Sequence, residues 1–125
     1  MELKKQVCSL ELAKRLKELG VKQESFWYYW ELNGTPHNNF RKYTILQHRK
    51  SEDEDIPHIS AFTVAELGEM LPYTLEDRYD LEISKMQGGD WLIGYRNNSQ
   101  FMELNEANAR AKMLIYLLEN NLITN

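Results

Sequence analysis

The clearest periodicity in the chain lies near its end. Ala107, Ala111, Leu114, Ile115 and Leu118 stand at i, i+4, i+7, i+8 and i+11, the spacing of one face of a helix over 105–120. Asn105 is placed to cap its first turn, where a side-chain oxygen can accept from an otherwise unpaired backbone N–H. Small residues come early, so that end can approach a neighbouring backbone, and large ones come late and fill volume. Met113, Tyr116 and Leu117 widen the apolar surface until only Asn108, Lys112 and Glu119 form a wet strip. Such a helix must be covered on more than one side.

Two more helices show the same period. Leu12, Leu16 and Leu19 predict a helix over 9–19, with Ser9 as N-cap, Glu11 in the first turn and Gly20 as the left-handed residue that ends it. The sequence leaves open whether residues 1–8 extend it through Leu3 and Val7. Thr63 and Glu66 have the spacing of a capping box, Phe62 and Leu67 that of a hydrophobic staple, and Pro72 is the stop. Val64, Leu67 and Leu71 line this helix, and Gly68 is placed to let it approach a sheet closely.

Elsewhere the period is two. Phe26-Trp-Tyr-Tyr-Trp30 is five consecutive aromatics, which suit a strand better than a helix. A strand puts Phe26, Tyr28, Trp30 and Leu32 on one face and Ser25, Trp27, Tyr29 and Glu31 on the other, and the polar ends of the second set mark it as outward. Asn33-Gly34 and Pro36 predict a loop, and 40–48 is the returning strand, with Tyr43 and Ile45 inward and Lys42, Thr44, Leu46 and His48 outward. Ser51 to Asp55 is an acidic, solvated loop. Tyr79, Leu81 and Ile83 alternate with Asp80, Glu82 and Ser84; Gln87-Gly88-Gly89 turns the chain into a strand carrying Trp91, Ile93 and Tyr95; Asn97-Asn98-Ser99 turns it again into 100–103. Residues 73–76 fit one more short strand.

The order α-β-β-α-β-β-β-α, with tight turns between neighbouring strands, predicts one α+β domain over 1–125. Its expected form is an antiparallel sheet of about five strands with three helices packed mainly on one face. The helix–strand–strand unit occurs twice as topology, without a shared residue pattern.

Composition narrows the setting. At 125 residues the chain is long enough for a core without staples. No apolar run has membrane-spanning length, the first residues lack a secretory signal, and a single cysteine, Cys8, rules out an intrachain disulfide framework; the expectation is a cytoplasmic protein with no membrane partner. The net charge of −4 is unevenly spread: residues 1–50 hold ten basic and five acidic side chains, a net +5, and residues 51–125 hold five and fourteen, a net −9. Overall acidity argues against sequence-independent DNA binding.

Sites of known chemistry are few. Gly88-Gly89 lies between strands, as a hairpin turn does, and not at the start of a helix, where a phosphate-cradling loop would put it. His37, His48 and His58 are isolated, and residues 52–55 lack the alternating ligands and central glycine of a calcium loop, so neither metal nor cofactor is expected. Cys8 precedes a helix N-cap: a thiol activated by that helix is one reading, a small apolar residue packing near Ala13 the other. Asp80 and Glu82 read as the wet side of a sheet. The aromatic run exceeds what a core requires. Trp27 and Tyr29, beside Leu46 and His48, would form an exposed patch for a protein partner or a second copy of the chain, unless the sheet is covered on both sides or loop 33–39 folds over them. Single-stranded nucleic acid stacked on Trp27 and Tyr29, with Arg41, Lys42, Arg49 and Lys50 supplying charge, is the alternative. An enzyme would rest on Cys8 and the scattered histidines alone.

Three segments also carry a resemblance: Leu10 to Ser25 followed by aromatics, Ala61 to Pro72, and Ala109 to Asn120. In that order they resemble a set of small uncharacterised proteins of bacterial genomes and their prophages or other mobile elements. The shared motifs are caps and apolar stripes. The resemblance implies a setting, an accessory protein of phage or mobile-element type, and no mechanism.

Overall fold

The computed structural model describes residues 2–34, 36–39, 41–76, 79–96 and 100–124. A short 3₁₀ turn, Leu3–Lys5, leads to α1 (Leu10–Glu18), β1 (Tyr28–Leu32), a second 3₁₀ turn (Pro36–Asn38), β2 (Tyr43–Gln47), β3 (His58–Ser60) and α2 (Val64–Met70). Then follow β4 (Thr74–Leu75), β5 (Tyr79–Lys85), β6 (Trp91–Tyr95), β7 (Gln100–Glu103) and α3 (Glu106–Glu119). The expected turn over 97–99 lies outside the described residues.

The helices begin where their caps dictate. Ser9 Oγ accepts from Leu12 N, and Asn105 Oδ1 accepts from Asn108 N at 3.1 Å. The capping box of α2 is complete: Thr63 Oγ1 accepts from Glu66 N at 3.2 Å while Glu66 Oε1 accepts from Thr63 N at 3.0 Å. Phe62 and Leu67 are both fully buried beneath it. Each contributes about 1.5–3 kcal/mol by leaving water. Gly20, at φ 89°, ends α1, and Val21 N folds back to Leu16 O at 3.1 Å. Residues before α1 do not extend it. Val7 forms an antiparallel bridge with Thr63, and Cys8 N donates to Phe62 O at 3.0 Å, so this segment is tied to the entrance of α2.

The fold is α+β with antiparallel strands, but the expected single sheet of about five strands is two sheets. One has the order β2-β1-β3, the other β4-β5-β6-β7. Within the first sheet β1 is paired on both sides, and side chains seal the outer edge of β3: Lys17 Nζ donates to His58 O at 3.3 Å, and Gln23 Oε1 accepts from Ser60 N at 2.8 Å. No strand of the second sheet can join there.

Helix α3 is the centre. Ala107, Ala109, Ala111, Met113, Leu114, Ile115 and Leu117 are buried, spread around its circumference. It packs on β6 and β7 and also meets α1 and α2. The four-stranded sheet turns Ile93 and Tyr95 into the core and leaves Asp80, Glu82 and Ser84 wet, as the alternation predicts. Tyr95 Oη donates to Pro72 O at 2.7 Å. The expected wet strip of α3 is partly used: Asn108 Oδ1 accepts from Ser9 N at 2.8 Å, and Lys112 pairs with Glu103.

Candidate functional site

The aromatic strand β1 sits at the middle of the three-stranded sheet, and its neighbours fix which rings point where. Tyr29 lies between Leu46 of β2 and Ile59 of β3, and Trp30 between Ile45 and His58. Ile59 is buried in the main core and Tyr29 packs against that core. Glu31, two residues along on the same face, is paired with Lys14 of α1 at 3.2 Å. The Trp27–Tyr29–Glu31 face is therefore the one turned toward α1. This corrects the expectation that it faces outward. The polar residue at its end marks a partner on a helix, not water.

The four residues expected to form a patch divide accordingly. Tyr29 is half-buried, and its hydroxyl donates to Cys8 O at 2.7 Å. Burial pushes its pKa up to about 12. It anchors the sheet to the N-terminal segment and is not a bare ring. Trp27 is half-buried with His48 edge-on to it, 5.9 Å between ring centroids. Leu46 is half-buried at the rim and His48 is exposed. The structure brings Trp27 to His48 and Tyr29 to Leu46, but on the side that the core occupies.

The opposite face becomes barer from β3 toward β2. Ser60 and Tyr28 are buried, with Ser25 N donating to the Tyr28 hydroxyl at 3.0 Å. Trp30, Leu32 and Ile45 are half-buried, and Tyr43 is 42% exposed. Trp30 Nε1 donates to Arg49 O at 2.8 Å, and the Arg49 guanidinium stands 5.6 Å from the Trp30 ring centroid. Exposed Arg41, Lys42, Arg49 and Lys50 flank β2 at both ends, and residues 41–50 contain no acidic side chain. Lys50 reaches Glu24 at 2.6 Å, and this contact raises the lysine pKa and lowers that of the carboxyl.

Edges matter as much as faces. Glu31 N donates to Pro57 O and Ala61 N to Trp27 O, so the backbones of Trp27, Tyr29 and Glu31 serve β3. Those of Tyr28, Trp30 and Leu32 then serve Gln47, Ile45 and Tyr43 of β2. Thr44 and Leu46 aim their N–H and C=O away from the sheet, and among the described residues these groups have no partner. The sequence carries a signal for this surface in the uncharged Tyr43–Gln47 between basic pairs, which the assignment of Tyr43 and Ile45 to the core obscures.

Of the two readings of Cys8, the structure supports the packed residue. Its side chain is fully buried, and desolvation pushes the thiol up to about 12, far from a nucleophile's range. Among the described residues no three His, Cys, Asp or Glu side chains converge as metal ligands. An apolar cleft of about 390 Å³ lies between Val21, Met70, Leu114 and Ile123, and another of about 430 Å³ between Lys5, Lys85, Trp91 and Leu104. Lys22, Glu24 and Thr124 also line the first, and Asn105 and Glu106 the second. No helix among the described residues is long and apolar enough to cross a membrane. Comparison with known proteins finds no match to a family model, a curated protein or a solved structure.

Proposed function

We propose that the chain is a non-enzymatic protein-binding module, an accessory protein of the mobile-element kind, whose contact surface is β2 with the face carrying Trp30, Tyr43 and Ile45. The observation that carries this reading is the 42% exposure of Tyr43 beside half-buried Ile45 and Trp30, on a sheet whose other face is turned to the core. Leu46 and His48 belong to the rim of this surface, and Trp27 and Tyr29 support it from beneath. Self-association fits less well. With Ile45 on a two-fold axis, antiparallel pairing of two β2 strands sets Arg41 of one copy against Arg49 of the other, and like charges directly opposite repel.

The test is selection of a random peptide library on the immobilised protein. The reading expects an enriched consensus that Tyr43→Ser/Ile45→Ser no longer binds while keeping its far-UV circular dichroism. Absence of a consensus, or equal binding by the double variant, refutes it. Single-stranded nucleic acid is the second reading, favoured by the basic residues beside Trp30 and Tyr43. Against it, Arg49 covers the Trp30 ring and Lys50 is engaged by Glu24. Oligonucleotide binding that falls steeply with salt would install it instead.

A further inference from the structure

The bare rim of β2 specifies more than a sticky face. We infer that it takes an extended acidic segment of another protein as a fourth strand of the β2-β1-β3 sheet, an inference that rests on the protein-binding reading above. Main-chain groups supply the attachment. Thr44 and Leu46 present outward N–H and C=O groups at the two-residue spacing that an added strand needs, and both belong to a strand held in register by five pairs with β1. The opposite edge of the same sheet is closed by Lys17 and Gln23, so addition is directed to β2.

Charge selects the occupant. Residues 41–50 carry a net +4, with Arg41 and Lys42 before the strand and Arg49 and Lys50 after it, in a chain whose net charge is −4. The strand itself, Tyr43–Gln47, is uncharged. An incoming strand therefore meets an apolar centre with Arg41 and Lys42 at one end and, at the other, Arg49 on the Trp30 ring beside a Lys50 shared with Glu24. Short carboxylates at the strand ends suit this arrangement better than a phosphate backbone, which needs many free cations. Its best match has alternating β-branched residues in the middle and Asp or Glu at each end. One side of that strand would lie along Tyr43 and Ile45, the other along Thr44 and Leu46. A second copy of β2 brings the wrong charges to both ends, which is why the occupant is a different chain.

The probe is a fluorescein-labelled peptide of about ten residues, alternating Val and Thr at its centre with two Glu or Asp at each end, read by fluorescence anisotropy at low ionic strength. Binding about tenfold tighter than that of the same peptide with Lys ends is expected, from a few opposite-charge cross-strand pairs acting together. N-methylation of the alternate residues whose N–H groups face β2 should abolish binding, and N-methylation of the other set should leave it within about twofold. Thr44→Pro removes an outward N–H without touching the ladder to β1, a position where an edge strand tolerates proline, and should lose the peptide while keeping its melting temperature. If that variant does not fold, the two N-methyl series on the unaltered protein decide.

The inference is overturned by equal binding of the acidic and lysine-ended peptides, by equal loss in both N-methyl series, by no binding at low salt, or by a dimer in light scattering. It is also overturned if an oligonucleotide displaces the peptide and itself binds more tightly. A library consensus that needs Tyr43 and Ile45 but ignores backbone methylation would sink strand addition and leave the protein-binding reading standing.

Discussion

Replacing Gly68 by Ala tests how α2 and α3 fit together, and the sign of its effect is the informative quantity. The sequence suggests that this glycine lets α2 approach a sheet. In the structure it makes room for Arg110 of α3, whose Nη1 a methyl at position 68 would overlap. Arg110 makes three hydrogen bonds to two partners: Nη1 donates to Val64 O at 3.3 Å, while Nε and Nη2 donate to Glu106 Oε2 at 2.9 and 2.5 Å. Both charged side chains are less than a fifth exposed, at 18% and 19%. Two opposing effects follow. Alanine gains about 1 kcal/mol over glycine in a helix interior. Against that, the guanidinium must withdraw and give up a charge-assisted bond of about 1.5–3 kcal/mol. The loss wins, by about 0.5 kcal/mol because the 3.3 Å Val64 bond lies at the weak end of that range, or a fall in melting temperature of about 2 °C for a domain of this size.

The control is the same substitution in an Arg110→Met background. With the guanidinium gone, the methyl has space, and Gly68→Ala should stabilise by about 1 kcal/mol. Urea unfolding of the four proteins, followed by circular dichroism, reads both signs. A stabilised Gly68→Ala in the unaltered chain, or an equal effect in both backgrounds, would refute the account of Arg110 as the group that requires glycine.

Two further outcomes concern titratable groups. Cys8, with its thiol pushed up to about 12 by burial, should react with a thiol-disulfide reagent at neutral pH only as fast as the protein opens, and at the free-thiol rate in urea; rapid labelling of the folded protein would contradict its burial. The His58 pKa is lowered from 6.5, first by burial and then by Lys17 and Lys50, so the folded state disfavours the proton. Its contribution is fully present above about pH 6.5 and is lost as pH falls below it, because the unfolded chain then binds the proton first; the urea midpoint of the unaltered protein should drop more between pH 7.5 and 5 than that of His58→Gln.

The caps were legible because they are local. Ser9, Thr63 with Glu66, Gly20 and Asn105 each act within a few residues, and each does so in the structure. The alternation along β1 was legible as two sets of residues, but not which set is buried. Glu31 misled because its partner, Lys14, is a helix away. Asn108 misled in the same way, since the group it satisfies belongs to Ser9, 99 residues earlier. Strand β3 has three residues, too few for a period, and its existence depends on β1 offering a second edge. Two sheets could not be told from one by pattern alone, because sheet membership depends on which edges meet. At β3 the edge is occupied by the side chains of Lys17 and Gln23, whereas at β2 it is open among the described residues, and neither fact is written in the hydrophobic pattern.

The way the small sheet is attached bears on what it can do. It meets the core through Ile59 and Tyr29, and through the hydroxyl bond from Tyr29 to Cys8 O, all on or beside β3. Strand β2 stands one strand further out, joined to the rest by its ladder to β1. Substitutions at Thr44 or Tyr43 therefore remove little of what holds α3 among its neighbours. An exposed tyrosine, a rim whose backbone groups have no partner among the described residues, and two pairs of cations at that position cannot be explained as contributions to the core. They are placed where the chain can gain a contact without disturbing its fold, and that is the physical basis for seeking a partner at β2 and not in the clefts around α3.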